Sequence, residues 1–293
     1  MNVLAVGDWH LTDKCPENRI DKYEDTTLFK LKWILVFAQE KKVSAIIQPG
    51  DFFDTPNPSY ALFTKVVNII NSYNIPIYTV FGQHDLRYRN AYNTGLFALQ
   101  AACPNVHVNF NGTVNDVEIR SAGWGEPIPK PKLNAFNILI THRMIIQKKL
   151  WEGQEDFDDC NDFLKTHKFN LIVSGDNHQF FTSSVTGRKL INCGSLLRSS
   201  IAQINHEPKV VLLETSDTTN WAEFKIPILP ADKVFKMEEV AKTKERNKKL
   251  ELFVEGLSQH KEMGLSFEAN LNFFIQAQAI DGEIQTIIKE SMI

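Results

Sequence analysis

The stretch NVLAVGDWH at residues 2–10 joins a short apolar run to two side chains that can bind a metal. The run Asn2 to Val6 is too short for a helix and rich in branched apolar residues, which is typical of a buried strand. Asp8 and His10 follow where that strand ends. Ligands of open α/β sheets bind outside the carboxyl ends of the strands, so the stretch predicts a site as well as a strand.

Four further segments repeat this arrangement of an apolar run followed by Asp or His. They are Asp51 after Ser44 to Gln48, His84 and Asp85 after Ile77 to Phe81, His142 after Phe136 to Thr141, and Asp176 and His178 after Leu171 to Ser174. A single Asp or His in such a place is usually a turn, a cap or a surface residue. Five such coincidences in one chain are improbable, so we expect these side chains to converge on one site.

The order of strands and helices indicates the fold class. Helical patterns over Asp25 to Gln39 and Ser59 to Tyr73 separate the first three strands, which predicts a βαβαβ order and a mostly parallel sheet. Later strands have fewer helices between them: Val106 to Phe110, Val117 to Ala122, Lys189 to Asn192 and Val210 to Glu214. The prediction is an α/β fold in which a two-sheet β-sandwich core is flanked by helices.

Length and composition favour an ordinary globular protein with more than one part. The 293 residues are 43% hydrophobic and 23% charged, and a domain holds roughly 150 residues. The pattern changes near Pro227 and Pro230, so we predict a catalytic domain over residues 1–230 and a helical segment over 231–293. Its predicted helices run from Val240 to His260 and from Phe267 to Ile293.

Charge, hydropathy and cysteine usage further restrict the class of protein. The net charge of −3 lacks the basic signature of a nonspecific nucleic-acid coat, although two bound divalent cations would supply positive charge locally. No apolar run approaches the roughly 18 residues of a membrane span, and the amino terminus resembles a strand, so we predict a cytoplasmic protein. The four cysteines are Cys15, Cys103, Cys160 and Cys193. They form no C-x-x-C pair that would indicate a zinc site.

The residue types at the predicted site favour a pair of metal ions. Imidazole and carboxylate ligands without thiolates suit manganese, iron or zinc, and paired metals lie ~3.5–4 Å apart. Such a pair holds phosphate oxygens and lowers the pKa of a shared water, so that hydroxide attacks near neutral pH. Four histidines lack this placement after a strand and are predicted to be structural: His107, His167, His206 and His260.

The ordered motifs resemble the five-block signature of calcineurin-like metallophosphoesterases, which is D-x-H, G-D, G-N-H-D/E, H and G-H-x-H. The matching blocks span most of residues 1–200: Asp8-Trp9-His10, Gly50-Asp51, Gly82-Gln83-His84-Asp85, His142 and Gly175-Asp176-Asn177-His178. The resemblance implies two divalent metal ions, manganese first, with magnesium, iron or zinc as alternatives. It also implies hydrolysis of a phosphoester.

The resemblance assigns a role to each matching position. One metal would be held by Asp8, His10, Asp51 and His178, and a second by Gln83, His142, Asp176 and the bridging Asp51. His84 would be a catalytic acid that does not bind metal, and Asp85 would orient it. The chain departs from the signature at Gln83 and Asp176, which would make the second metal site weaker or choosier; an inactive member of the family is the alternative.

Softer features resemble the SbcD type of DNA repair and recombination exonuclease, in a compact form as in phage-encoded relatives. They are the block Gly50-Asp51-Phe52-Phe53-Asp54, the turn Asn192-Cys193-Gly194-Ser195 followed by Arg198, and the pair Arg19 and Asp21. This branch implies a nuclease subunit with three kinds of partner: DNA, an SbcC-like coiled-coil ATPase and a second copy of the chain. The compartment would be the bacterial cytoplasm, or that of the host cell for a phage protein.

Arginines next to the predicted site are candidates for holding flanking phosphates. Arg87, Arg89 and Arg143 come just after site residues, and a guanidinium can grip a phosphate with two N–H groups. Such arginines are more often solvated. Solvation is therefore the more usual interpretation of these arginines, and contact with a phosphate is the less usual one.

Three functions remain open from the sequence. The first is metal-dependent hydrolysis of DNA phosphodiesters. The second is a phosphomonoesterase or cyclic-nucleotide phosphodiesterase, because fold and metals do not choose the substrate. The third is a noncatalytic adaptor whose carboxy-terminal helices bind a partner. Residues 235–293 carry many large apolar groups for so short a segment, including Leu250, Leu252, Leu271 and Ile275, which must pack on the catalytic domain or on a partner.

Overall fold

The computed structural model describes residues 1–88, 90–150 and 154–259, together with residues 271, 275, 282, 284, 286 and 287. The chain divides into two compact units, Met1–Val234 and Phe235–Ile293. All strands of the described part lie in the first unit.

The first sheet begins with the amino-terminal strand predicted above. Numbered in chain order, its members are β1 (Asn2–Ala5), β2 (Ala45–Gln48), β3 (Ile77–Thr79), β4 (Val106–Val108), β13 (Lys209–Glu214) and β14 (Asp217–Lys225). Across the sheet they lie in the order β14-β13-β1-β2-β3-β4. The strands β1 to β4 are parallel, so their carboxyl ends meet at one edge.

The second sheet also has a parallel centre, but both of its edge strands are antiparallel. Its members are β5 (Gly112–Val114), β6 (Val117–Ala122), β7 (Phe136–His142), β10 (Leu171–Gly175), β11 (Phe181–Val185) and β12 (Arg188–Asn192). Their order is β11-β12-β10-β7-β6-β5. The edge strands β5 and β11 pair antiparallel. A separate two-stranded sheet consists of β8 (Ile145–Ile146) and β9 (Asp158–Asp159).

Helices cover the outer faces, and three of them begin at capping side chains. They are α1 (Tyr23–Glu40), α2 (Tyr60–Asn71), α3 (Gly95–Ala102), α4 (Cys160–Thr166) and α5 (Ala231–Val234), with a short 3₁₀ helix at Ile201–Gln203. Side-chain oxygens accept N–H groups of the first turn at Ser59 for α2, Thr94 for α3 and Asp159 for α4. Each cap satisfies amides that the helix cannot, which stabilises it by about 1 kcal/mol.

Alternation along the strands creates three separate cores. Leu4 and Ile46 point to the core that contains α1, α2 and α3, whereas Val3 and Ile47 point the opposite way, into the space between the sheets. The outer face of the second sheet packs against α4. The result is four layers, helix, sheet, sheet and helix. This confirms the predicted α/β fold class with a two-sheet core flanked by helices.

The elements that the sequence did not predict are short or polar. Strand β6 has its predicted bounds, and the first two helices differ from prediction by two residues or fewer at each end. The elements β5, β11, β14, α3 and α4 were not predicted. The edge strand β14, for example, buries none of its residues fully, so no apolar alternation marks it.

From Met237 onward, the described residues of the second unit are helical. Helix α6 (Met237–Gln259) agrees with the predicted helix from Val240 to His260, of which His260 lies outside the described residues. The predicted helix from Phe267 to Ile293 falls largely outside the described part; its six described positions are helical, and three of them, Leu271, Ile275 and Ile284, are buried. None of the described helices is long and apolar enough to cross a membrane.

Candidate metal centre and active site

The site forms where the carboxyl ends of strands from both sheets meet. A backbone bridge joins Asp8, just after β1, to Ser195, just after β12. The amide of Asp176, after β10, donates to the Asp8 carboxylate over 2.9 Å. These contacts bring together loops that are distant in the sequence, and they place the predicted ligands from the two sheets opposite one another.

Three side chains form a fully enclosed inner cluster. Asp8 and Asp51 have no exposed surface and His142 has 1%. The Oδ2 atom of Asp51 lies 3.3 Å from Nε2 of His142, and the other ring nitrogen of His142 is fixed by the Pro49 carbonyl 2.7 Å away. Suitably placed ligand atoms of these three residues all lie within 4.8 Å of one another.

The electrostatics of this cluster call for added positive charge. Burial, together with the nearby Asp51 carboxylate and against the effect of His142, raises the pKa of Asp8 to about 7. Burial alone would lower the pKa of His142, but Asp51 and Asp8 together raise it to about 10. A single imidazolium ion offsets only one of the two buried carboxylate charges, whereas a divalent cation would offset both.

Three histidines form the outer side of the site. The Nε2 atoms of His10 and His178 lie 3.1 Å apart, and Nε2 of His10 lies 3.6 Å from Oδ2 of Asp51. The rings of His10 and His84 meet edge to face at 4.8 Å between centroids. The side chains of His84 and His178 are each 42% exposed, so the site reaches solvent on this side.

The two positions that depart from the family signature contact each other. The amide nitrogen Nε2 of Gln83 donates to Oδ1 of Asp176 over 2.9 Å. This hydrogen bond fixes which end of the amide is which, because the nitrogen is the donor. The amide oxygen Oε1 of Gln83 is buried and has no hydrogen-bond partner in the structure.

Unsatisfied buried atoms are concentrated at this site. Ten buried side-chain nitrogen and oxygen atoms of the described residues make no hydrogen bond, although such atoms in proteins are nearly always paired. Five of the ten belong to predicted metal ligands: Asp8 Oδ1, His10 Nδ1, Asp51 Oδ2, Gln83 Oε1 and His142 Nε2. Lone pairs of carboxylate, amide and imidazole groups are the donors that divalent metals take, so four of these atoms fit a metal centre. The fifth, Nδ1 of His10, faces the Asp54 carboxylate instead.

The backbone at the site is unusual in two respects. His10, Asp51 and Asp176 have positive φ angles of 45°, 49° and 77°, a region that residues with a Cβ atom rarely occupy. Gly82 lies so close to Asp51 that an added Cβ atom would be 2.0 Å from the carboxylate. The glycine is therefore required by space, which explains its position immediately before Gln83.

Asp85 and Asp54 differ from what the sequence suggested. The carboxylate of Asp85, predicted to orient His84, accepts three backbone N–H groups, from Phe52, Phe53 and Gly82. It thus fixes the loop that carries Asp51. The His84 ring instead places Nδ1 3.0 Å from the Asp54 carbonyl, and the Asp54 carboxylate lies 3.5 Å from Nδ1 of His10.

Sequence reasoning did not assign Asp54 a role, although Asp54 closes the block Gly50-Asp51-Phe52-Phe53-Asp54. The two histidines that Asp54 approaches, His10 and His84, come from different loops of the first sheet. The signal available in the sequence was an acidic residue three positions after a predicted ligand, which by itself is too common to be informative.

The predicted phosphate-binding arginines have different surroundings. Arg143 forms an ion pair with Asp158 at 3.2 Å and donates to the Glu126 carbonyl. Arg87 is exposed in a tight turn with Asn90. Arg89 lies outside the described residues. Thus Arg87 presents its guanidinium to solvent, while that of Arg143 already has an acidic partner.

Three of the histidines predicted to be structural lie away from the inner cluster. His107 stacks on Tyr78 with ring centroids 4.9 Å apart, and His167 packs against Phe163. The ring nitrogen Nε2 of His206 lies 2.5 Å from the Ser195 carbonyl. Among the described residues, the groups able to hold a metal include none of these three.

A four-layer α/β sandwich with buried carboxylates and imidazoles at its strand ends defines a metal-dependent hydrolase. The chain belongs to the calcineurin-like phosphoesterase family, whose sequence profile matches residues 1–180. Members of this family use divalent metal ions to hydrolyse phosphoesters. The sequence prediction of this superfamily is therefore confirmed.

One relative is a phage nuclease. The chain is similar to Exonuclease subunit 1 of Enterobacteria phage T4, with 26% identity over 192 residues. This match covers 61% of the present chain and 55% of the phage T4 protein. The chain therefore spans about half the length of that relative.

Solved structures share the fold at low sequence identity. The protein TT1561 of Thermus thermophilus has a TM-score of 0.51 and 14% identity, covering 77% of this chain and 99% of its own. A Staphylococcus aureus protein described as a 5'-nucleotidase, solved with α-ketoglutarate, has a TM-score of 0.50 and 14% identity, covering 78% and 54%. At these identities the likeness shows the fold.

Proposed function

We propose that this chain is a metal-dependent DNA nuclease, an exonuclease subunit that hydrolyses phosphodiester bonds. The observation that carries the proposal is the similarity to Exonuclease subunit 1 of phage T4 over 192 residues. The unsatisfied donor atoms at the strand ends support a metal centre, and membership of the phosphoesterase family supports the bond that is cleaved.

The chain's own residues divide the chemistry between binding and proton transfer. Asp8, His10, Asp51 and His178 would hold one divalent cation, and Gln83, His142 and Asp176 would hold a second with Asp51. When bound, the cations hold the phosphate oxygens and supply an ionised water as nucleophile. The remaining protein groups must then fix the substrate and deliver a proton to the leaving oxygen.

His84 is the group best placed to deliver that proton. Its Nδ1 atom is fixed by the Asp54 carbonyl at 3.0 Å, which leaves Nε2 of the imidazolium to donate to the leaving oxygen. A positioned proton donor of this kind contributes about 10²- to 10⁴-fold in rate. Because 42% of the side chain is exposed, a polymeric substrate can approach it from solvent.

The test is to incubate the protein, freed of metal by a chelator, with end-labelled duplex and single-stranded DNA. Manganese, magnesium or zinc is added in turn, and a nucleoside monophosphate and a cyclic nucleotide serve as alternative substrates. We expect manganese to restore DNA cleavage better than magnesium, because the three imidazoles of His10, His142 and His178 favour a softer cation. Undiminished cleavage in excess chelator would exclude a metal mechanism, and turnover of the small substrates alone would exclude the nuclease.

We further propose that the second unit binds a coiled-coil ATPase partner. The relative from phage T4 is by name a subunit. In the present chain, helix α6 exposes large apolar side chains, with 60% of Leu252 and 40% of Leu250 accessible. Large apolar side chains that a helix exposes to solvent are typical of positions that a partner covers. A homodimer also stays a prediction, which the mass in solution would test.

The partner proposal can be tested without removing any segment. Leu252→Glu should abolish co-purification with the co-expressed ATPase while DNA cleavage by the isolated protein is unchanged. The matched control is Asn247→Glu, which adds the same charge at another exposed position of α6. Equal recovery of the ATPase with both variants would argue against binding through this helix.

A further inference from the structure

A second pocket in the first unit lies outside the metal centre. It has a volume of about 360 Å³ and lies beside helix α1 and the segments 197–198 and 227–229. Its lining includes three basic residues, one acidic residue and several apolar ones, among them Arg19, Lys30, Arg198, Asp25, Phe29, Leu197 and Leu229. Pockets of this size are typical of small-molecule sites, in which apolar walls surround a few polar groups. The wall residue Leu197 also lines the cleft beside His10 and His84, so the two pockets are neighbours.

A buried lysine lies in this pocket. Lys30 is only 3% exposed, and its ammonium group donates to the Leu196 carbonyl over 2.6 Å. This is the hydrogen bond that the described residues provide for it, and an ammonium group carries three donors. Burial, together with the nearby Arg198 and Arg19, lowers the pKa of Lys30 to about 7. A bound anion would relieve both effects.

The neighbouring cations are held in place rather than mobile. Arg19 makes two hydrogen bonds to the Asp21 carboxylate, of 2.8 and 2.7 Å. Arg198 donates to the Leu229 and Ile204 carbonyls. Both arginines are buried, Arg19 with 5% and Arg198 with 4% of its surface exposed. The positive potential at Lys30 is therefore built into the fold.

The rim of the pocket is apolar and accessible. Phe29 is 54% exposed and Leu229 is 53% exposed, whereas large apolar side chains normally avoid water. An aromatic side chain beside a positively charged pocket floor is the combination that binds a flat, partly apolar group attached to an anion.

We propose that this pocket binds a nucleoside 5'-monophosphate, with the phosphate on Lys30 and the base against Phe29. The positively charged floor of the pocket favours an anion. The apolar rim favours an anion that carries a flat ring over inorganic phosphate. The choice of a nucleotide rests on the proposed function, because a nuclease releases mononucleotides at the neighbouring cleft. The binding itself requires neither metal nor hydrolysis.

The backbone links this pocket to the metal centre. The residue whose carbonyl accepts from Lys30, Leu196, donates its own amide to the Asp8 carbonyl over 2.8 Å. The preceding amide, of Ser195, donates to the His178 carbonyl over 3.2 Å. A ligand that draws Lys30 away from Leu196 would thus act on the segment that positions two predicted metal ligands. The pocket would sense product.

The experiment is a calorimetric titration of the full chain with deoxyadenosine monophosphate in excess chelator. We expect saturable binding that Phe29→Ala weakens by about tenfold through loss of stacking on the base, and that Lys30→Met weakens by about tenfold or more through loss of a charged hydrogen bond. Lys32→Met is the matched control, because Lys32 is an exposed lysine on the same helix. His84→Gln should bind as the unaltered protein does. Phe29 is largely exposed, so its variant tests the pocket even if Lys30→Met unfolds.

Three results would overturn the proposal. They are the absence of saturable binding, weakening by His84→Gln but not by Phe29→Ala, and equal affinity for inorganic phosphate and the nucleotide. The second would place the ligand in the catalytic cleft instead. A protein that binds the nucleotide but does not cleave DNA would refute the nuclease function and leave this pocket standing, so the two failures are distinguishable.

Discussion

The two halves of the metal centre are held together differently. In the histidine half, formed by Asp8, His10 and His178, the two imidazole Nε2 atoms lie 3.1 Å apart, and the tautomers decide which of them donates. In the amide half, formed by Gln83, His142 and Asp176, a 2.9 Å hydrogen bond joins two of the ligands directly. Asp51 contacts both halves, at 3.6 Å to His10 and 3.3 Å to His142.

This difference explains how the chain can depart from the family signature at two positions. Gln83 and Asp176 are both departures, and they are hydrogen-bonded to each other. The carboxylate holds the amide nitrogen, so the amide oxygen is the atom left for a metal. The departures therefore act as one unit. In the other half the two histidines have different acidic neighbours, Asp51 and Asp54 for His10 and Asp8 for His178.

The largest effect is expected where the halves join. Asp51→Asn removes the charge that both halves share, so both metal ions should be lost and DNA cleavage should fall by more than about 10³-fold. Metal analysis and cleavage rates measure the two effects. Retention of one metal with its full affinity would show that the halves are independent and that Asp51 does not bridge them.

His84 tests the boundary of the histidine half. His84→Gln should keep both metals and the fold and lose at least ~100-fold in turnover, because the variant cannot deliver a proton. The geometry also allows His84 to share a metal with His10 and Asp51. Loss of metal in the variant would therefore make His84 a ligand and refute its role as the acid.

Asp54 tests how the histidine half is oriented. Asp54→Asn removes the charge 3.5 Å from Nδ1 of His10 and should lower activity by about 10-fold, as for other groups that orient metal ligands. Asp13→Asn is the control, since Asp13 is an exposed aspartate that contacts Ser59 instead. A rate equal to that of the control would show that His10 needs no such support.

The smallest effect, a change in which metal ion is preferred, is expected in the amide half. Asp176→His should favour zinc over magnesium at this half, because it supplies a softer nitrogen ligand. The double variant Asp176→His/Gln83→Asn should change metal affinity by an amount that differs from the sum of the two single variants, since the effects of substituting residues in contact are rarely additive. Calorimetric titrations that show additive effects would mean that the 2.9 Å hydrogen bond does not couple the two positions.

Much of the fold could be predicted because its central strands are apolar and its helices have a periodic pattern of apolar residues. The short strand β1 and the polar side chains after it already indicate a site at a strand end. The edge strands β11 and β14 carry Ser, Thr and charged residues and have solvent on one side, so their sequences resemble loops. Their pairing is determined by neighbouring strands rather than by their own pattern.

The predicted ligands come together in the structure, but the contacts among them could not be read from sequence. Asp85 is one position from His84, yet its carboxylate binds backbone amides of the Asp51 loop. The contact between Gln83 and Asp176 spans 93 residues. Such contacts depend on how two sheets meet, which a single sequence does not state.

The left-handed backbone at His10, Asp51 and Asp176 has a consequence for the stability of the chain. A residue with a Cβ atom in this region raises the free energy of the fold by about 1–3 kcal/mol, so the site lowers the stability of the protein that carries it. Glycine at these positions would relieve the backbone but would also remove a side chain of the site. The strain is therefore the cost of having a ligand side chain at these three places in the backbone.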